Sequence, residues 1–372
     1  MKKKVTFYCD SMNKGGTEKA TLDLINSLPV DKYDITLVQL AKGGYYQQFL
    51  RKDITIKEII PVPPKKSFKW FYRLKRLYKK IPARINHALF IGNKQDVEIA
   101  CGYGYPNKIV SKSKNAKKVL WVHMDVSLDK NEVPNMTREK GKEYFKNIDE
   151  IVCVSLECAD RFNGKFGLSN KTKTIYNIVP TNIIKKLADK DSSVAFDNRI
   201  FNIVSVGRLT WQKGFDILLE EFEFVIQKNN LVHLYIIGQG EDYEKLLNIV
   251  KEKKLEAYVS LLGYLDNPYP LIKNADLYVC SSRHESFGLT IVESMALGTP
   301  VLSTRCTGPN EIIENDYYGK QVDDTPGSIA AGIIGMIGRT DELKKYSQRG
   351  KERIKIFDTD AIIKEWEKII NT

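Results

Sequence analysis

A chain of 372 residues is too long for one ordinary core, and two domains of roughly 150–200 residues are expected. With 42% hydrophobic and 28% charged residues it has the composition of a soluble globular protein rather than a disordered one, and no stretch approaches the ~18 apolar residues of a membrane span. The formal net charge of +12 points to an anionic partner: nucleic acid, a membrane surface or a phosphorylated substrate.

The first expected strand is "KVTFYCD". The basic start before it has an apolar run that ends at Asp10, too short for a signal peptide, so a cytoplasmic protein is expected. The loop "SMNKGGTEKA" follows, with Gly15 and Gly16 making a tight strand-to-helix turn that exposes backbone N–H groups. Gly-Gly alone is neither a GxGxxG nor a Walker motif. A helix over "TEKATLDLINSL" leads to the strand "YDITLVQL".

Residues 65–84, "KKSFKWFYRLKRLYKKIPAR", contain no acid. Phe71, Leu74, Tyr78 and Ile81 fall on one helical face, and Lys69, Arg73, Arg76 and Lys80 on another. With Trp70 this reads as an aromatic-rich basic amphipathic helix, the pattern of an interfacial membrane segment. "KIVSKSKNAKK" (108–118) adds charge in the same domain. Each cation near an anionic leaflet is worth ~1 kcal/mol. A core-packing helix with a solvated basic face fits the same pattern. No nucleic-acid motif accompanies the charge, so no nucleic-acid partner is expected.

The strands "VEIACGYG", "KKVLWVHMD" and "EIVCVS" complete the first series, with His123 placed just after a strand. After "IYNIVP" the polar stretch "DKDSSVAFDNR" reads as a linker, and the pattern restarts with "FNIVSVGRL", "HLYIIGQG", "VSLLGYL", "LYVCSS" and "PVLST", interleaved with amphipathic helices. Short apolar strands alternating with helices mean parallel sheets covered on both faces, here two Rossmann-like domains. The expected divisions are 1–185, 186–355 and a final helix, 356–372, that packs back toward the N-terminal domain. Cys9, Cys101, Cys153 and Cys280 sit in strand-like runs without zinc spacing, so reduced core thiols and no metal site are expected.

Ligands of open parallel sheets bind beyond the carboxyl ends of the strands. Two clusters fall there. In "HESFGLTIVESMALGTPVLST", Glu285 lies in a loop, Gly288, Leu289 and Thr290 open a helix whose free N–H groups suit an anion, and Glu293 follows just over a turn later, suited to a vicinal diol. Ordinary strand–helix punctuation with two solvated acids has the same spacing. In "VSVGRLTWQKGFD", Arg208 and Lys213 precede a helix, a pair suited to a diphosphate leaving group; two surface cations read the same way.

Together, "ESFGLTIVE", "VGRLTWQKGFD", "IIGQGE", "NADLYVCSS", "SMALGTPV" and "KGGTEKA" resemble the family 4 retaining glycosyltransferases along nearly the whole chain. The resemblance implies the GT-B fold, an α/β architecture of two Rossmann-like domains whose parallel sheets face an interdomain cleft. It implies that Glu293 holds the ribose of a nucleoside-diphosphate sugar, that Glu285 contacts the donor sugar, and that Arg208, Lys213 and the N–H groups of Leu289 and Thr290 bind the diphosphate. Gly16 would approach the phosphate or the acceptor, His123 would face the donor sugar, and the base would rest near Leu262–Tyr264. No cofactor or metal is expected. The implied activity is retaining hexosyl or N-acetylhexosaminyl transfer from a UDP-sugar to a glycan acceptor linked to a polyprenyl diphosphate, in surface-polysaccharide or capsule synthesis, by an enzyme peripheral on the inner face of an anionic membrane. A sugar-nucleotide epimerase or hydrolase on this scaffold, and a non-enzymatic membrane-bound subunit, stay open as alternatives. The sugar, base, linkage and oligomeric state are not legible.

Overall fold

A strand covered on both faces must be apolar throughout, and each apolar run marked above forms such a strand. The first sheet contains β1 (Lys3–Cys9), β2 (Tyr33–Ala41), β3 (Thr55–Ile60), β4 (Val97–Cys101), β5 (Lys117–Val122), β6 (Glu150–Cys153) and β7 (Thr172–Thr174), in the order β3-β2-β1-β4-β5-β6-β7. The second contains β8 (Phe201–Val206), β9 (Val232–Ile237), β10 (Val259–Gly263), β11 (Leu277–Cys280), β12 (Val301–Thr304) and β13 (Lys320–Val322), in the order β10-β9-β8-β11-β12-β13. Every pairing is parallel. The computed structural model describes residues 1–60, 73, 74, 76–78, 80–92, 94–126, 136–192 and 194–372.

The chain forms two units, Met1–Ile178 with Asp360–Thr372, and Val179–Thr359. The division falls earlier than 185/186 because the helix Thr181–Ala188 packs on the helices Tyr269–Asn274 and Leu289–Leu297 of the second unit. Asn267 Nδ2 donates to Leu187 O at 2.8 Å, and Lys273 pairs with Asp189. The polar stretch after this helix is therefore a loop of the second unit. The final helix starts at Thr359. Its stripe of Ile362, Ile363, Trp366, Ile369 and Ile370 is buried. The Trp366 ring meets Trp121 of β5 edge-on at 4.9 Å, Glu367 accepts from Lys32 and Tyr33, and Ile369 O accepts from Lys117.

In each sheet the strand order reverses beside the first strand, between β1 and β4 and between β8 and β11. Crevices open at such points, at the carboxyl ends of the strands. All six cysteines are unpaired thiols, five of them buried. Among the described residues, no helix is long and apolar enough to cross a membrane.

Trp366 is wholly buried, so Trp366→Ala opens a large cavity in the first unit, and a loss of about 3–5 kcal/mol is expected in urea unfolding. Unfolding midpoints equal to wild type would mean that the helix is not part of that core.

Candidate active site

In the second unit two loops meet where the strand order reverses. One follows β8 and carries Arg208 and Lys213; the other follows β11 and carries Glu285. β8 and β11 are direct neighbours, with Leu277 opposite Ile203 and Tyr278 opposite Val204. Tyr278 OH donates to Val206 O at 3.2 Å across the pair.

The loops are locked to each other by backbone. Gly214 has φ of 64° and precedes the helix Phe215–Lys228. A Cβ there would run into the Ser281 carbonyl oxygen, so both the left-handed conformation and the close approach require glycine. Ser281 Oγ donates to Lys213 O at 3.0 Å, Arg283 N to Gln212 O at 2.9 Å, and Gln212 Nε2 to His284 O at 3.0 Å. Arg283 also binds Trp211 O and the Asp216 carboxylate, each at 2.8 Å or less, and lies 5.0 Å from the Trp211 ring centre.

The Glu285 loop is fixed from its other side as well. Thr304 Oγ1 donates to Ser282 O at 2.6 Å, and Gly308 N donates to Glu285 O at 2.7 Å. A side chain at Gly308 would collide with the Phe287 carbonyl.

At the junction Lys213 Nζ and the Glu285 carboxylate form an ion pair, both side chains partly shielded from water. Burial pulls the Lys213 ammonium toward neutrality, but Glu285 and neighbouring groups outweigh it, and the lysine is held above its ordinary range. The lysine is therefore charged through neutral pH, and what its raised value contributes to stability is lost as pH rises through that value. Arg208 is exposed.

Gly288 caps the helix Leu289–Leu297. Leu289 and Thr290 are its first residues, and their N–H groups have no intrahelical acceptor. Glu293 is only 7% exposed, and Tyr269 OH donates to its Oε1 at 3.1 Å. The reading of Glu293 as a solvated acid is thus corrected: this carboxylate is held in place. Leu262 and Tyr264 flank Gly263 at the end of β10 and are half-buried. A cleft of about 470 Å³ opens there, lined by Gln239, Gly240, Tyr243 and Gly263.

Gly16 and His123 lie in the first unit. Gly16 opens the helix Gly16–Ser27 behind Gly15 and is exposed. His123 follows β5, its ring 4.2 Å from that of Trp121. Its Nε2 is buried without a hydrogen-bond partner among the described residues, and burial pulls its pKa down to about 3. The next buried acid, Asp125, is paired with Arg161 at 2.8 Å.

Sequence patterns did not reveal Tyr269, the Asp216–Arg283 pair or the Gly308 contact. Of the proposed membrane set, Lys69, Trp70 and Phe71 lie outside the described residues. Arg73, Arg76 and Lys80 are exposed. The apolar face drawn for that segment needs correction, because Tyr78 is buried in the first core and Leu74 packs against it.

Two parallel-sheet units, one carrying cations, a helix N-terminus and a held carboxylate beyond its strands, define the GT-B class of sugar-transferring enzyme. Residues 188–353 match the family "Glycosyl transferases group 1". An uncharacterized glycosyltransferase of Methanocaldococcus jannaschii is 30% identical over 88% of this chain and 91% of its own. An N-acetylgalactosaminyltransferase of Campylobacter jejuni, named for a diphospho-undecaprenol-linked substrate, is 31% identical over 52% of each chain. HepE of Anabaena, solved with UDP and glucose, superposes with a TM-score of 0.77 over 99% of both chains at 19% identity. The chain belongs to the group 1 glycosyltransferase family, with the GT-B fold, and is a glycosyltransferase.

Two outcomes follow from the geometry. Lys213→Met strands the part-buried Glu285 charge and should cost about 1–3 kcal/mol in urea unfolding, most of it recovered in Lys213→Met/Glu285→Gln; strictly additive losses would mean that the two side chains act independently. His123 should show flat imidazole NMR shifts from pH 5 to pH 9, and a midpoint near the ordinary 6.5 would refute its buried, neutral state.

Proposed function

We propose that this enzyme moves a hexose or N-acetylhexosamine from a UDP-sugar, with retention of configuration, to a glycan acceptor carried on a polyprenyl diphosphate at a cytoplasmic membrane face, in surface-polysaccharide synthesis. The observation that carries the donor half is the convergence of Lys213, Glu285 and the N-terminus of the helix Leu289–Leu297 beyond two adjacent strands. HepE, solved with UDP and glucose, supports uracil as the base. The Campylobacter relative, named for a diphospho-undecaprenol substrate, supports the lipid-linked acceptor.

In this reading Arg208, Lys213 and the N–H groups of Leu289 and Thr290 take the charge that grows on the diphosphate as its bond to the sugar breaks. That local positive charge is our reason for proposing a metal-independent reaction. Glu293, steadied by Tyr269, accepts the ribose hydroxyls, and the base lies against Leu262–Tyr264 beside the cleft at Gly240 and Gly263. Glu285 positions the donor sugar. An ammonium on its carboxylate makes it a poor nucleophile, which favours transfer on one face of the sugar: the C1–O bond to diphosphate breaks, the acceptor oxygen bonds to C1 on the same side, and its proton passes to the leaving phosphate oxygen. His123, neutral, supplies a hydrogen bond to the donor sugar, and Gly16 lets the first-unit backbone approach phosphate or acceptor.

Thermal-shift titration with UDP-, GDP- and ADP-sugars tests the donor site. Stabilisation by the UDP-sugar alone is expected, with affinity falling about 10–100-fold in Glu293→Ala for loss of hydrogen bonds to a charged group. No shift with any nucleotide by the folded protein, or undiminished binding by the variant, would sink this assignment.

A further inference from the structure

The loop after β8 leaves one large side chain uncovered beside the Lys213–Glu285 pair. Trp211 is 53% exposed, yet its surroundings fix it. The Arg283 guanidinium lies 5.0 Å from the ring centre, and Arg283 Nη1 donates to Trp211 O at 2.7 Å. Arg283 is itself held on Asp216, at 2.8 Å to Oδ1 and 3.2 Å to Oδ2, and Lys245 Nζ reaches the same carboxylate at 2.8 Å. The half-buried His284 ring stands 5.7 Å from the indole at an angle of 51°, and its carbonyl oxygen accepts from Gln212 Nε2.

Single exposed apolar residues are ordinary on a protein surface, so exposure alone carries nothing here. Two further features do. A side chain that merely overhangs water keeps its rotamer freedom, whereas this indole is braced by a cation and by both loops of the seam, so a ligand meets it already in place. The polar atoms of the pair are also unused. Neither the Trp211 Nε1–H nor the His284 ring nitrogens have a hydrogen-bond partner among the described residues. An aromatic face with free hydrogen-bonding groups at its edge matches a pyranose, which carries C–H bonds on a face and hydroxyls around its rim.

We propose that Trp211 and His284 form a subsite for a pyranose ring of the acceptor glycan, next to the sugar being transferred. The indole receives the C–H face of that ring, and the indole N–H and the His284 imidazole bind hydroxyls at its rim. Position on the seam selects the acceptor. Trp211 lies two residues before Lys213 and His284 one before Glu285, and Lys213 and Glu285 join in the ion pair, so the aromatic pair continues the seam that holds the donor. The donor reading sets the hexose on Glu285 and the ribose on Glu293, so a further ring on this seam belongs to the acceptor. The subsite rests on that reading and gives its acceptor a required feature, a sugar with an unobstructed C–H face beside the accepting hydroxyl.

The test is saturation-transfer NMR and tryptophan fluorescence of the full chain with UDP present, titrated with the methyl glycosides of glucose, galactose, N-acetylglucosamine and N-acetylgalactosamine. At least one glycoside should receive saturation through its ring C–H protons and protect tryptophan from acrylamide quenching. Trp121 and Trp366 are buried, and the quenching that Trp211→Phe removes identifies the signal of Trp211. Trp211→Ala should weaken glycoside binding about tenfold, Trp211→Tyr should restore most of it, and His284→Ala should weaken it about fivefold. Trp211 is exposed, so thermal melting of its variants should be unchanged, and the UDP-sugar shift, which reads the donor site separately, should persist. A wild type that shifts with the UDP-sugar but binds no glycoside, or glycoside binding undiminished in Trp211→Ala, would overturn the subsite and leave the donor reading standing. Loss of the UDP-sugar shift in Trp211→Ala would also overturn it, because the tryptophan would then serve the donor.

Discussion

The site depends on one close approach of backbone: the Ser281 carbonyl passes over Gly214 where only hydrogen fits. That contact brings the loop after β8 against the loop after β11, and the hydrogen bonds at Gln212, Lys213, Arg283 and His284 close around it. Lys213 and Glu285 are far apart in the chain, yet their meeting follows from this seam. Fixed charges are most useful when they need not reorganise as charge develops on a ligand, and a backbone lock provides that more firmly than side-chain packing alone.

The same economy governs the acids. Glu285 is bound at its carbonyl by Gly308 N and at its carboxylate by Lys213; Glu293 is buried with Tyr269 on one oxygen. Neither carboxylate is an isolated buried charge, which would be costly. In the proposed donor site a diphosphate at Lys213 would share that ammonium with Glu285, which would couple donor binding to the placement of Glu285 through one nitrogen. Arg208, exposed, can add its charge without breaking an existing pair.

The interior strands were legible because burial on both faces leaves an unbroken apolar run. β3, β7 and β13 were not, and each is an edge strand. The "TKT" of β7 and "KQV" of β13 need cover only part of their surface and so carry no apolar signature. In the site, Arg208, Lys213, Glu285 and Glu293 were legible because local spacing places them after strands or at a helix start. Tyr269 and Gly308 were not, because what they do depends on partners brought in by the sheet. The basic helix shows the limit of a periodic pattern. Tyr78 and Leu77 are adjacent in sequence, and nothing in the spacing says which of them meets the core; the cluster around Tyr105 and Asn86 takes Tyr78 and leaves Leu77 outside.

That assignment changes what the cations around it can do. Had Leu74 and Tyr78 turned outward, the core beneath would have lost the ring contacts of Tyr78 with Phe90 and Tyr105. With Tyr78 inward, Leu77 stands among Arg73, Arg76 and Lys80 on the exposed side, so apolar and cationic groups share one face. The second unit presents Arg208 and Lys213 differently, at the turn after β8 that leads into the helix Phe215–Lys228. Exposed cations thus stand both along this segment and at the turn after β8, and only the second arrangement depends on the backbone lock at Gly214.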